Sequence, residues 1–176
     1  MERPWQVLEK KPLYQSSWIE LHHWAVRLPD GSIIPDHHVL IYPYAAVGVV
    51  ARDTQGNILL IDHYRFITDT RGWEVPGGKL DEGETVISAG RRELLEESGY
   101  SAETVTVLGH YYPSNGTGNQ IFNIVLAEGV RCESEIPDQN EAIARRWFSA
   151  AEVRAMLKRN EIKDGLSLTA LWWALS

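Results

Sequence analysis

The sequence predicts an α/β fold: a mixed β-sheet with helices on its faces, preceded by a small N-terminal antiparallel β-layer. Three observations carry that expectation. Short apolar, β-branched runs at 45–52 and 58–64 are followed by segments of helical character, so strands and helices are interleaved. Several strands are joined by connections too short for a parallel crossover, so the sheet is not all-parallel. Residues 1–41 alternate apolar and polar positions about the Pro29-Asp30-Gly31 turn, the period of strands.

Taken in order, residues 1–41 form the antiparallel layer and residues 42–176 the main domain. The Ala-Val-Gly-Val-Val run makes 45–52 a strand, Asp53-Thr-Gln-Gly56-Asn57 is a turn, and 58–64 is the expected hairpin partner. Further strands are expected at 104–111, 121–127 and 146–148. A helix over 85–98 stops at Gly99, the residue preferred for a left-handed cap. Ser149-Ala-Ala-Glu152 is a capping box opening a helix to about Arg159. A last helix, 166–175, follows Asp164-Gly165.

Composition bounds the function. With 44% hydrophobic and 23% charged residues in 176, the chain can bury a core. Lys and Arg number 17 against 24 Asp and Glu, a formal charge of −7, which disfavours nonspecific binding to nucleic acid or anionic membrane. The lone Cys132 excludes an intrachain disulfide and a cysteine zinc cluster and fits a reducing cytoplasm. No signal peptide or membrane-spanning run is expected. His22-His23 and His37-His38 do not chelate as adjacent pairs, because neighbouring strand residues point to opposite faces.

The informative segment is Gly78-Lys-Leu-Asp-Glu-Gly-Glu84, seven residues, then Arg92-Glu93-Leu94-Leu95-Glu96-Glu97-Ser98-Gly99-Tyr100. On a helix, Glu93, Glu96 and Glu97 fall within an arc of about 100°. Their repulsion costs a few tenths of a kcal/mol per pair. A hard divalent cation offsets it, since Mg²⁺ and Mn²⁺ favour carboxylate oxygens.

This spacing matches the Nudix box: Gly, five residues, Glu, seven residues, Arg-Glu-aliphatic-x-Glu-Glu-x-Gly. A chance match of the specified residues is below about one in a million. The sequence thus resembles the Nudix hydrolases, which implies an α/β/α sandwich that cleaves nucleoside diphosphate derivatives with Mg²⁺ or Mn²⁺. By that resemblance Glu93 and Glu97 are the principal metal ligands. Glu96 is an additional or water-mediated ligand, the Gly77 carbonyl completes the site, and Glu84 with Arg92 is a structural ion pair. The general base is Glu96 or the later-loop Glu141. Tyr100 stands where the box usually closes with an aliphatic residue.

Other segments are similar to the ADP-ribose and nucleoside-diphosphate-sugar pyrophosphatases. They are Trp5-Gln-Val…Trp18-Ile-Glu-Leu…Pro29-Asp-Gly31, His63-Tyr64-Arg65, and Trp73-Glu74-Val75-Pro76-Gly77-Gly78 with Gly77 for the usual Ala. The resemblance implies that Arg65 approaches phosphates or the terminal ribose, that Tyr112-Pro113 belongs to a substrate loop, and that the N-terminal layer builds a homodimer. Trp18 serves either core packing or an interface or adenine-stacking platform. The expected activity is hydrolysis of ADP-ribose or a related nucleoside diphosphate sugar to a monophosphate and a sugar phosphate. A nucleoside triphosphate pyrophosphohydrolase and a noncatalytic nucleotide-sugar sensor are the alternatives.

Overall fold

The computed structural model describes residues 4–137 and 142–176. These residues divide into two compact units, one running to Ala45 and including Tyr112–Gln120, the other comprising Ala46–Tyr111 and Ile121–Ser176.

The first unit is an antiparallel meander of β1 (Gln6–Gln15), β2 (Glu20–Arg27) and β3 (Ile33–Ile41). Gly31, at φ +86°, supplies the left-handed residue that the β2–β3 turn needs. Asp30 holds that turn by accepting from the Ser32 backbone N–H at 2.9 Å. Asn119 ties the 112–120 segment to the strand layer, its side-chain oxygen accepting from the Tyr42 N–H at 2.7 Å.

The second unit contains two sheets. The four-stranded one has the order β7-β4-β9-β8, formed by β7 (Gly77–Lys79), β4 (Ala46–Ala51), β9 (Phe122–Cys132) and β8 (Tyr100–Tyr111). It is mixed: β4 runs parallel to β9, while β7 and β8 pair antiparallel. The other sheet has the order β10-β5-β6, from β10 (Ala144–Phe148), β5 (Ile58–Arg65) and β6 (Thr70–Glu74). The expected 45–52/58–64 hairpin is therefore corrected. Beyond one bridge between Arg52 and Ile58, β4 and β5 share no ladder. The reason is burial: Val47, Val49, Val50 and Ala51 are wholly enclosed, so β4 is a central strand with both edges already paired, and β5 turns away to a second sheet. Strands β6 and β7, too short and too polar to show a period, were not expected.

Three helices cover the sheets. α1 (Val86–Ser98) is closed by a Thr85 capping box and by Gly99 at φ 70°. α2 (Ala150–Lys158) opens with the Ser149/Glu152 capping box, and α3 (Gly165–Ala174) with Asp164 as its N-cap. The period of two in β4 divides the core. Val47, Val49 and Ala51 join Leu59, Ala89, Leu94 and Val125 beneath α1, while Val50 joins Ile58, Leu60, Ile124, Val153 and Leu171 beneath α2 and α3. Helices on both faces give the α/β/α sandwich. Gly90 brings α1 onto the sheet: a Cβ there would stand 2.9 Å from a Val125 methyl. Among the described residues, no helix is long and apolar enough to cross a membrane.

Candidate active site

The site is assembled where α1 faces β7. Helical spacing puts Glu93 and Glu97 one turn apart, and the close seating of α1 buries both, at 7% and 4% exposure. Two buried carboxylates need partners. Glu97 accepts a 2.6 Å hydrogen bond from the Gly77 N–H. The Glu93 carboxylate lies against Gly78, so a Cβ at 78 would displace that carboxylate from its present position. Gly77 is constrained more tightly, since a Cβ there would strike the Val47 backbone carbonyl of β4.

Arg92 spreads over the acidic surface. It donates to both oxygens of Glu84 at 3.2 and 2.9 Å, to Glu93 at 2.8 Å, to Glu96 at 3.0 Å and to the Lys79 carbonyl at 3.0 Å. Glu84 folds its own loop by accepting from the Asp81 N–H at 3.0 Å. These bonds drive the Arg92 pKa upward, the Glu84 contact most strongly, and they hold Glu84 below the usual carboxylate range. The cost of clustering carboxylates on α1 is thus met partly inside the protein, by one guanidinium.

Among the described residues, no three His, Cys, Asp or Glu side chains converge tightly enough to hold an ion. Glu93 and Glu97 share the buried face, whereas Glu96 is half exposed and turned to Arg92. The donor set nonetheless suits a hard divalent ion: it is all oxygen, anionic, and set beside glycine backbone that leaves the carboxylates room.

Arg65, at the end of β5, grips Glu74 on β6 through two nitrogens at 2.6 and 3.1 Å. Glu74 is nearly enclosed while 46% of the Arg65 side chain faces solvent. Burial pushes the Glu74 carboxyl upward against the pull of Arg65. For Arg65 burial also opposes the charge, but the Glu74 bonds together with Asp164 and Glu97 outweigh it and raise its pKa. Asp164 and Glu97 are therefore within electrostatic reach of this guanidinium.

Sequence reasoning missed Ser167. This wholly buried hydroxyl accepts from the Val75 N–H at 3.0 Å and donates to Asp164 at 2.8 Å, pinning the Glu74–Gly77 turn to α3. No local pattern marks it. Glu74, within the Trp73–Gly78 segment, has no chemistry that its local sequence reveals, because its partner Arg65 lies on another strand. Trp18, Tyr112 and Pro113 belong to the first unit and are all exposed. Glu141 lies outside the described residues.

Comparison with known proteins places the chain in a family. Residues 43–169 match the NUDIX domain, and residues 5–40 match the nucleoside diphosphate sugar hydrolase N-terminal domain. The chain is 28% identical over 173 residues to an ADP-ribose pyrophosphatase of Mycobacterium tuberculosis, covering 97% of this chain and 83% of that one. It is 30% identical over 154 residues to the CMP-5'-(N-acetyl-N-hydroxy-3-aminopropyl)phosphonate hydrolase of Streptomyces rubellomurinus, covering 88% and 74%. A GDP-mannose pyrophosphatase of Yersinia enterocolitica is 26% identical, with 94% and 92% covered. The fold matches the crystal structure of an ADP compounds hydrolase with a TM-score of 0.85 at 22% identity, over 97% of this chain and 92% of that one. With its box residues built into α1 and β7 and its match extending over most of the sequence, the chain belongs to the Nudix hydrolase family.

Proposed function

We propose that this Nudix hydrolase cleaves the diphosphate bond of ADP-ribose or a related nucleoside diphosphate sugar, giving a nucleoside monophosphate and a sugar phosphate. The observation that carries the proposal is the union, in one chain, of a sugar-hydrolase N-terminal domain with a carboxylate helix whose Glu93 and Glu97 are both buried beside β7.

The residues that would hold Mg²⁺, or Mn²⁺, are Glu93 and Glu97, with Glu96 binding directly or through water and the Gly77 carbonyl completing the set. A bound ion supplies charge neutralisation on the phosphate oxygens and a lowered pKa for the attacking water. The protein's own groups do the rest. The Gly77 N–H fixes one oxygen of Glu97. Arg92 sets the spacing between Glu93 and Glu96. Glu96 or Glu141 takes the proton of the attacking water. Arg65, oriented by Glu74 yet half exposed, offers a planar guanidinium to phosphate or the terminal ribose. Trp18, Tyr112 and Pro113 supply exposed aromatic and apolar surface for the nucleoside.

The first unit supports a homodimer. β1 is exposed along its whole length, with Val7, Leu8, Leu13 and Tyr14 each at least 44% exposed. These exposed apolar side chains are the surface that a second copy of the chain would cover. The free thiol of Cys132 favours a cytoplasmic setting.

The test is a substrate panel of ADP-ribose, ADP-glucose, GDP-mannose, UDP-glucose and nucleoside triphosphates with Mg²⁺, run beside Glu97→Gln. Turnover of a diphosphate sugar to monophosphate and sugar phosphate is expected, falling about a thousandfold in the variant. Turnover of triphosphates alone would replace this reading with a triphosphate pyrophosphohydrolase. Tight binding without cleavage would replace it with a nucleotide-sugar sensor.

A further inference from the structure

The two histidine pairs of the first unit look inert along the chain, but the strand register changes their meaning. Antiparallel pairing of β2 with β3 sets His23 directly opposite His38, fifteen residues away. Residues directly opposite in a ladder share a face, so the two imidazoles meet. Their Nε2 atoms stand 3.0 Å apart, a hydrogen bond in which one ring donates its N–H to the bare nitrogen of the other, and an ion would take the place of that shared proton.

The ring geometry is not that of two imidazoles in line. Ring centres are 4.3 Å apart and the planes cross at 78°. The centres are therefore only 4.3 − 3.0 = 1.3 Å further apart than the nitrogens themselves, so the two lone-pair axes are angled to each other rather than collinear. Two imidazoles that bind one ion at right angles, with metal–nitrogen bonds of about 2.0–2.1 Å, hold their nitrogens about 2.9 Å apart; a tetrahedral angle needs about 3.3 Å. The observed separation is close to the right-angle value.

We propose that His23 and His38 form a two-histidine clip for a borderline transition-metal ion, Cu²⁺ or Ni²⁺ ahead of Zn²⁺, with water filling the remaining positions. Imidazole nitrogen suits these ions and not Mg²⁺ or Mn²⁺, so the clip is chemically distinct from the carboxylate site on α1. Rigid support comes from the ladder: His23 is held on its other side by pairing with Lys11 of β1, so both backbones are fixed before an ion arrives. The Lys11 ammonium, on a long flexible stem, is the one cationic neighbour that this pairing sets opposite His23, and it works against affinity. His22 and His37 are not part of the clip. His22 pairs with Val39 and donates its Nε2–H to Glu20 at 2.7 Å, and His37 pairs with Trp24.

The experiment titrates NiCl₂ into untagged full-length protein by calorimetry at pH 7.5, with excess Mg²⁺ present to occupy the carboxylates. One saturable ion per chain is expected. His38→Ala and His23→Ala should each weaken it at least about tenfold, since loss of a mere supporting partner of a metal ligand costs that much. His37→Ala should bind as the unaltered protein does. His38 is exposed and His23 partly so, and unfolding curves of the variants in the absence of metal verify the fold. The proposal is overturned if no saturable binding occurs, if one ion binds per two chains, or if His37→Ala is as damaging as His38→Ala.

Discussion

Replacing Ser167 with alanine deletes one oxygen from the interior and leaves the backbone otherwise untouched. In the native protein that oxygen accepts from the Val75 N–H, a buried bond spanning 92 residues of sequence. The Ser167 N–H still reaches Asp164 at 2.7 Å, so the cap of α3 survives the change. What is lost is the partner of a buried donor, a cost of about 1–3 kcal/mol, because an unmade bond in the interior forfeits the full desolvation of the N–H. For a chain of this size each kcal/mol lowers the melting temperature by about 2–4 °C, so a drop of roughly 4–8 °C is expected at the middle of that range. Val75 stands two residues before Gly77, whose N–H orients Glu97. The same variant should therefore lose turnover at temperatures where it remains fully folded. Urea and thermal unfolding, followed by single-substrate kinetics at 20 °C, measure both. A melting temperature within 1 °C of the unaltered protein would refute the pinning role.

The other expectations follow from single contacts. Gly77→Ala drives a Cβ into the Val47 carbonyl and should destabilise by about 1–3 kcal/mol or more, the range for overpacking, read from urea midpoints. Arg65→Lys keeps the charge but cannot reproduce the two-nitrogen grip on Glu74; KM for a diphosphate sugar should rise by about tenfold with a smaller change in kcat, and an unchanged KM would remove Arg65 from substrate binding. For Asp53, burial resists ionisation, but bonds from Asn57, Gln55 and Gly56 outweigh it and hold the carboxyl below its usual range. A depressed pKa stabilises the fold above the unfolded value near 3.9 and is lost as pH falls through the folded value. Asp53→Asn should therefore flatten the loss of stability below about pH 4, measured as melting temperature against pH beside the unaltered protein.

Much of the local structure was legible because it depends on near neighbours. The Thr85 cap and Gly99 stop of α1, the Ser149–Glu152 box of α2 and the Asp164 start of α3 are each decided within four residues, and each is present. The box residues of α1 could be read for the same reason, since their spacing is the helical repeat itself. Pairing could not be read this way. Residues 46–51 and 58–65 looked like a hairpin because a turn joins them. Whether two strands pair depends on which edges other strands have already taken, and β4 is occupied by β7 and β9.

The carboxylate helix could be read from spacing along one segment, and the family and the Glu84–Arg92 pair from the resemblance that this spacing carries. Only the tertiary structure decided who partners those groups. It brought the Gly77 N–H to Glu97, Glu74 to Arg65, Ser167 to Val75 and His23 to His38. Each of these contacts joins residues that the chain separates by 9 to 92 positions. Their meeting is dictated by sheet register and by the depth at which helices seat on the sheets, quantities that the packing of the whole core sets and no local pattern contains.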